Sequence, residues 1–488
     1  MQKCAYIPRV VLFLCAAIVW LIVIQIAQAV TLQTDSSAEA NTFNIPNWYY
    51  ESDQASASLG FSVSGAGDVN GDGFEDIVVG APKYSGNTYK AGAVFAFYGS
   101  PGGLQPIPNW MFGGDQTGAD LGFAVAAAGD INHDGFDDIL VSAPRYNHEQ
   151  SREGRVYGFY GSANGLPATP SWQLESNLVE AYLGWSVASA GDVNHDNFDD
   201  VIVGAKWAQD GFVNEGMAQV YLGSNAGLAS SPMWTTFGGQ AGASLGTAVS
   251  TAGDINKDGF ADVIVGAPLA NTSEEDAGQV LVFCGSSSGV DQEPCWTLTG
   301  TQLNGRLGEA VGGAGDVNGD GVDDVIVGAP GQNTSLPEAG TVYVYGGSET
   351  GLSLLPLWTA VSNQSIAQFG TAVQISSDIN GDSLQDVIIG AYGYTADQSQ
   401  EGRIYVYYSR SGGPNTQPDW IAEGNKAEAE FGFALSSSDV DGDGQDELLV
   451  GAPNYRKETE LRGRAFLFEG LPANTTKNTL FLPFILKN

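Results

Sequence analysis

The chain has 488 residues, 66 of them glycine, and its 56 acidic and 19 basic side chains give a formal charge of -37. That charge excludes nucleic-acid binding through basic patches, because the phosphate backbone would be repelled. A hydrophobic fraction of 43% excludes a disordered acidic chain and indicates a globular, loop-rich protein.

The N-terminus has the pattern of an export signal. Lys3 and Arg9 precede an apolar run over residues 10–24, and Ala27-Gln28-Ala29 supplies a small-x-small cleavage site. We expect residues 1–29 to be a signal peptide and residues 30–44 a linker. The remaining chain would be secreted or held at the cell surface, without a transmembrane span once the signal is cleaved. The alternative is an uncleaved membrane anchor, since the apolar run approaches the lower spanning length.

A repeat occupies residues 45–470. Its clearest marker is a tryptophan that recurs every 62 residues, at Trp48, Trp110, Trp172, Trp234, Trp296, Trp358 and Trp420. Self-similarity at such a period is typical of repeat architectures, in which each copy packs on the next.

Each copy contains four short β-type runs and no helical period. In the first copy the runs are residues 59–65, 77–82, 93–98 and 109–112, bounded by Gly, Pro, Asn and Asp. Seven such copies predict an all-β, seven-bladed β-propeller with four-stranded blades. The first tryptophan segment precedes the first copy and the last copy lacks one. We therefore expect the N-terminal strand to complete the last blade and close the ring, which hides both edges.

An acidic nine-residue loop joins the first two runs of every copy. Side chains with oxygen atoms recur at positions 1, 3, 5 and 9, and these positions hold 22 of the 56 acidic residues. Hard oxygen ligands crowded on a turn suit Ca²⁺, with the carbonyl of position 7 completing the shell, so we expect up to seven bound ions. The predicted ligands are Asp68, Asn70, Asp72, Phe74, Asp76, Asp130, Asn132, Asp134, Phe136, Asp138, Asp192, Asn194, Asp196, Phe198, Asp200, Asp254, Asn256, Asp258, Phe260, Asp262, Asp316, Asn318, Asp320, Val322, Asp324, Asp378, Asn380, Asp382, Leu384, Asp386, Asp439, Asp441, Asp443, Gln445 and Glu447.

Two other interpretations of these loops fit the sequence less well. An EF-hand needs a bidentate Glu at position 12, but here position 12 lies inside a β-type run. A metal-free turn rich in Asp, Asn and Gly is ordinary for one loop, but crowded carboxylates in seven copies repel one another without a cation. Glycine at position 6 predicts a sharp turn with positive φ. Ser383 at position 6 of the sixth loop and Glu447 at position 9 of the seventh depart from the pattern, and mark these loops as the weaker sites.

The segment from Leu59-Gly60 to Gly80-Ala81-Pro82 resembles an FG-GAP repeat, the unit of the integrin α-subunit N-terminal propeller. Phenylalanine stands before the first glycine at Phe369 and Phe431, and leucine in the other copies. The resemblance covers residues 45–470. It implies a propeller that binds its partner on the face opposite the calcium loops, although integrin propellers carry Ca²⁺ in only some blades.

We therefore expect a monomeric binding or cell-adhesion module for an extracellular protein or glycan. Loops between the second and third runs vary most between copies and should meet on the face opposite the calcium loops. Their aromatic residues are candidate ligand contacts, namely Tyr84, Tyr146, Trp207, Tyr392, Tyr394 and Tyr455. The alternative is that these rings only pack their own loops.

The rival hypotheses are a polysaccharide lyase or hydrolase that uses the central funnel, and a lectin. The chain has three histidines, of which His133 and His195 lie in calcium loops and His148 in another loop. No nucleophile motif, zinc pattern or phosphate-binding loop appears. We expect the protein not to be an enzyme.

Two features complete the sequence. Cys284 and Cys295 lie eleven positions apart, and in an exported protein they could form a disulfide or remain two separate small apolar residues. The C-terminal tail, residues 471–488, is too short to span a bilayer as a helix. It could be a sorting or docking segment or a last packed strand.

Overall fold

The computed structural model describes residues 46–375 and 378–469, and the backbone of residues 33–34 and 41–42. The predicted signal peptide (1–29), most of the predicted linker (30–44) and the predicted tail (471–488) lie outside these residues. The described part of the chain consists of strands, turns and loops. It contains no helix that is long and apolar enough to cross a membrane.

Seven antiparallel sheets of four strands form the predicted seven-bladed propeller. In each blade we number the strands 1 to 4 from the innermost to the outermost. Blades 1 to 3 contain Ser62–Gly67, Asp76–Ala81, Ala93–Phe97, Trp110–Gly113; Val125–Gly129, Asp138–Ala143, Arg155–Phe159, Trp172–Glu175; and Leu183–Gly191, Asp200–Ala205, Met217–Tyr221, Trp234–Phe237. Blades 4 and 5 contain Ala248–Gly253, Asp262–Ala267, Gln279–Phe283, Trp296–Thr299; and Ala310–Gly315, Asp324–Ala329, Thr341–Tyr345, Trp358–Val361. Blades 6 and 7 contain Ala372–Ile375, Val387–Ala391, Arg403–Tyr407, Trp420–Glu423; and Ala434–Ser438, Glu447–Ala452, Arg464–Phe468, Trp48–Glu51.

Three smaller pairings accompany the blades. Arg456–Lys457 and Glu460–Leu461 form a short hairpin between strands 2 and 3 of blade 7. Gln33–Thr34 runs parallel to strand 4 of blade 5, and Asn41–Thr42 runs parallel to strand 4 of blade 6.

The N-terminal strand closes the ring, as predicted. Trp48–Glu51 pairs antiparallel with Arg464–Phe468, with Trp48 opposite Leu467. The indole of Trp48 donates a hydrogen bond across the closure to the carbonyl of Gln105 in blade 1, at 3.0 Å. Trp110 makes the equivalent bond from blade 1 to Pro167 of blade 2, at 2.9 Å. The closing contact is therefore built like an ordinary contact between neighbouring blades.

The hydrophobic core lies between the blades as seven clusters. In every blade, strand 2 is buried along its whole length, because both of its faces pack against neighbouring sheets. The cluster that joins blade 7 to blade 1 contains Trp48, Val79 and Leu449. Apolar residues at successive positions of strand 2 are the sequence signature of this two-sided burial.

Strand 1 of blade 1 begins three residues later than the sequence predicted. Leu59 instead forms an isolated parallel bridge to Gly463 of the preceding blade, and Gly60 has a φ of 79°. The same approach recurs one blade later, where a Cβ on Gly92 would lie 2.2 Å from the carbonyl oxygen of Leu121. Glycine is required there because no side chain fits between the two backbones.

A disulfide joins Cys284 and Cys295. It connects the residue after strand 3 of blade 4 to the residue before strand 4.

Candidate calcium loops and binding face

The seven acidic loops connect strand 1 to strand 2 and lie on one face of the ring. Their fold is determined by position 1. In blade 1, Asp68 Oδ1 accepts hydrogen bonds from the amides of Gly71 (2.7 Å) and Asp72 (3.1 Å), and Oδ2 accepts one from Gly73 (2.8 Å). These bonds wrap the loop around one carboxylate.

Positions 4 and 6 of the loop both have positive φ. In blade 1 these are Gly71 at 72° and Gly73 at 90°. The sequence predicted this geometry at position 6 but missed it at position 4, because His133, His195 and Lys257 adopt it without being glycine.

The position 9 carboxylate is buried and joins two parts of the blade. Asp76 Oδ2 accepts from the amide of Val69 at 3.1 Å, and Oδ1 accepts from Gly99 in the loop between strands 3 and 4 at 2.8 Å. Burial, together with the nearby carboxylates of Asp72 and Asp68, raises the pKa of Asp76 to about 7. The same causes raise the pKa of Glu447 in the seventh loop to about 8. Without a cation, the negative charges of the loop therefore surround the buried carboxyl group at position 9, which makes that group costly to ionise.

The donor set fits an oxygen-liganded dication. Within the described residues, the side-chain oxygens of Asn132, Asn194 and Asn380 at position 3 are buried and lack a hydrogen-bond partner. A buried acceptor without a partner is rare and requires an explanation, and a cation coordinated by that oxygen supplies one. In the seventh loop, single carboxylate oxygens of Asp439, Asp441 and Glu447 lie within 4.8 Å of one another. The seventh loop, which departs from the sequence pattern at Glu447, therefore still brings three carboxylate groups together.

Position 8, which is not one of the predicted ligand positions, links neighbouring loops. Asp137 Oδ2 accepts a hydrogen bond from the amide of Asp68 in the preceding blade at 2.8 Å. Asp199, Asp323, Gln385 and Glu75 make the equivalent bonds to Asp130, Asp254, Asp316 and Asp439. The sequence already indicated this role, because position 8 is acidic in five of the seven copies and Ala261 is the one side chain there without an acceptor.

The position 7 side chain covers the preceding loop. A Cβ on Gly71 would lie 2.5 Å from the ring of Phe136, and the rings of His133 and Phe198 are 5.9 Å apart. The acidic loops therefore contact one another around the ring. Because the side chain at position 7 packs on the neighbouring loop, its backbone carbonyl is the group that this position could offer to a metal ion.

Two of the predicted ligand-contact aromatics are buried, which corrects their assignment to an exposed surface. Tyr146 and Tyr394 are only 8% and 7% exposed. The guanidinium groups of Arg155 and Arg403 lie 3.6 Å from their respective ring centroids. These arginines on strand 3 hold the rings against the blade cores. Tyr84, Trp207, Tyr392 and Tyr455 are half-buried on the predicted face and remain candidates.

Four other aromatic rings meet at the centre of that face. Each follows the Leu-Gly or Phe-Gly at the start of its repeat, and we call Phe433, Phe61, Phe123 and Trp185 the aromatic arc. Successive ring centroids are 4.9, 4.9 and 4.7 Å apart across four consecutive blades. None of these four residues was among the predicted ligand contacts, although the sequence has an aromatic residue at the same register of blades 7, 1, 2 and 3.

The register that the arc occupies is polar in the rest of the ring. The three remaining blades place Thr247, Glu309 and Thr371 at this register. Lys206 Nζ lies 4.4 Å from the ring centroid of Trp185, and burial lowers the pKa of Lys206. The centre of the face is therefore aromatic on one side and polar on the other.

Comparison with known families identifies the repeats. The FG-GAP repeat model matches residues 59–97, 121–159, 183–221, 245–283, 307–345, 369–407 and 431–464, which together exceed half of the chain.

Curated relatives fall into two groups. Integrin alpha-5 of Xenopus laevis is 31% identical over 242 residues, covering 48% of this chain and 22% of that protein. Phosphatidylinositol-glycan-specific phospholipase D of Bos taurus is 29% identical over 72% of this chain and 45% of that protein. The Mus musculus protein of the same name is 29% identical over 90% of this chain and 58% of that protein. The matches thus span from about a fifth to three fifths of the relatives' length.

Proposed function

The chain belongs to the FG-GAP repeat family, and on that premise we propose that it is an exported, calcium-stabilised propeller that binds an extracellular protein or glycan and is not itself an enzyme. The calcium loops occupy one face. The proposed ligand surface is the opposite face, centred on the aromatic arc. The integrin relatives support the binding role, and both groups of relatives fit export.

The observation that carries this proposal is the half-buried aromatic arc beside the polar residues Thr247, Glu309 and Thr371. Aromatic side chains offer a large contact area at little cost in conformational entropy, and they dominate the energetics of many binding surfaces. Phe61 contacts both Phe123 and Phe433 across blade boundaries, so the positions of these rings are fixed by the packing of the blades. A preorganised surface of this kind loses little entropy on binding.

Calcium would be held by positions 1, 3, 5 and 9 and by the carbonyl of position 7. Bound Ca²⁺ would neutralise the crowded carboxylates and fix the loop as a rigid turn. The carboxylates of positions 1 and 9 already accept hydrogen bonds from backbone amides, so they orient the loop before any ion binds. Metal binding and folding are coupled in such a loop.

The test is a screen of glycan and extracellular-protein arrays with the purified protein in excess Ca²⁺. We expect at least one ligand whose signal falls tenfold or more in a Phe123→Ser variant. The matched control is Met111→Ser, because Met111 is exposed on strand 4, away from the arc. Equal loss in both variants, or no loss in either, would refute the arc as the ligand surface.

The phospholipase relatives favour a second candidate function. A match over 90% of this chain makes hydrolysis of phosphatidylinositol-glycan a reasonable activity to assay. The three histidines have other contacts: His133 and His195 pack against Phe198 and Phe260, and His148 pairs with Glu175. We therefore expect no release of a glycan-anchored reporter protein from vesicles, and release above the level of a boiled control would establish the enzymatic alternative.

A further inference from the structure

A cluster of potential metal ligands lies on the face opposite the calcium loops, at the outer part of blade 2. It consists of His148 in the loop between strands 2 and 3, Glu153 at the end of that loop and Glu175 at the end of strand 4. One ring nitrogen of His148 and one carboxylate oxygen of each glutamate lie within 4.8 Å of one another.

Glu153 provides the observation that points to a ligand. Its side chain is fully buried, at 0% exposure. Oε1 accepts hydrogen bonds from the amides of His148 at 2.6 Å and Gln150 at 3.4 Å. Oε2 of the same carboxylate is buried and has no hydrogen-bond partner among the described residues. A buried carboxylate oxygen without a partner is costly unless a proton or a cation compensates it.

Glu175 places its two oxygens on different partners. Oε1 accepts from Arg155 Nε at 2.6 Å, and Oε2 lies 2.9 Å from His148 Nδ1. Two carboxylates against one guanidinium leave a net negative charge when the imidazole is neutral. The cluster therefore attracts a cation, and Arg155 fixes the orientation of Glu175 without using Oε2.

We propose that His148, Glu153 and Glu175 bind a first-row divalent metal ion, with Zn²⁺ as the best match. One imidazole and two carboxylates are a zinc-type set, softer than the all-oxygen calcium loops. Zn–ligand distances of about 2.1 Å place tetrahedral ligands about 3.4 Å apart, so small rotamer changes of the exposed His148 bring the three atoms into position. Three protein ligands leave the fourth position to water or an external ligand.

Blade 6 repeats the same arrangement without the histidine. Glu401 replaces Glu153, and its Oε1 accepts from the amide of Ala396 at 2.9 Å, just as Glu153 accepts from His148. Arg403 pairs with Glu423 as Arg155 pairs with Glu175. Glu401 Oε2 is also buried without a hydrogen-bond partner in the described chain. Both blades have the two carboxylates, so the proposed metal site in blade 2 depends on the imidazole of His148. Blade 6, with Ala396 in place of the histidine, is therefore a natural control.

The experiment is a calorimetric Zn²⁺ titration at pH 7.5 in excess Ca²⁺, which keeps the acidic loops saturated. The wild-type protein should bind one more equivalent of Zn²⁺ than His148→Ala, or bind it at least tenfold more tightly. Ala396→His should gain a second site. A variant that lacks both other histidines, His133→Ala with His195→Ala, should bind like the wild type.

Each outcome decides the proposal. Equal Zn²⁺ binding by the wild type and His148→Ala overturns it, as does loss of binding in the His133 and His195 double variant. Failure of Ala396→His to gain a site contradicts the geometric argument. The His148 side chain is 56% exposed, so its replacement should leave the fold intact, and melting temperatures in Ca²⁺ verify this.

Discussion

Removal of calcium should lower the free energy of unfolding of the propeller by several kcal/mol. A ligand that binds only the folded state stabilises it by RT ln(1 + [L]/Kd). For extracellular calcium modules with Kd between about 10⁻³ and 10⁻⁴ M, 10 mM Ca²⁺ contributes about 1.4 to 2.7 kcal/mol per site. Since a whole domain is stable by about 5–15 kcal/mol, even four occupied loops would dominate the balance.

The structure makes this loss cooperative. Position 8 side chains and position 7 rings connect most loops to their neighbours, so an unstructured loop weakens the loop beside it. We expect the melting temperature, followed by calorimetry, to fall markedly in EDTA and to rise with Ca²⁺ concentration. Mg²⁺ should restore little of it, because that ion requires octahedral geometry at short distances. Melting curves that superimpose in EDTA and in 10 mM Ca²⁺ would refute the metal assignment, and metal analysis that finds fewer than four ions would refute the claim for all blades.

Three further perturbations test the loops. In EDTA, the free energy of unfolding should be greatest near pH 4 and fall as pH rises through 7, because burial raises the pKa of Asp76 from 3.8 to about 7 in the folded state. Denaturant midpoints across this pH range measure the change in stability. A flat profile would contradict the burial of this carboxyl group. Ser383 has a φ of 70°, so Ser383→Gly should stabilise the protein by about 1 kcal/mol, whereas Gly321→Ser at the same position of the fifth loop should destabilise it by a similar amount. Asp137→Ala removes the acceptor of the Asp68 amide and should lower the free energy of unfolding in urea by about 1–3 kcal/mol. Ala261→Asp should not destabilise the ring. If Ala261→Asp were the less stable of the two variants, the interloop hydrogen bond would be excluded as a source of stability.

Much of the architecture was predictable because it repeats. A tryptophan every 62 residues fixed the number of blades, and the displaced N-terminal copy at Trp48 indicated the closure. The candidate calcium ligands were predicted because the same acidic loop pattern occurs in all seven copies. Repetition turns a weak local signal, such as an Asp-rich turn, into a strong one.

The departures were local and arose from contacts between blades. Tyr146 looked exposed because it lies in a variable loop, yet Arg155 stacks on its ring and buries it. Position 4 was not recognised as left-handed, because His133 carries a side chain there. The role of Asp137 depends on the amide of Asp68, and the two residues meet only when one blade packs on the next.

The sequence by itself therefore determined what one repeat can do: form four strands, turn sharply around an acidic loop and bury an apolar second strand. Only the tertiary structure decided what the ring does, because closing seven repeats brings together side chains that lie about 60 or several hundred residues apart. The aromatic arc from Phe433 to Trp185 spans four blades, and its contact between Phe433 and Phe61 exists only because the last blade lies next to the first. The cluster of His148, Glu153 and Glu175 likewise depends on strand pairing within blade 2, which places Arg155 opposite Glu175.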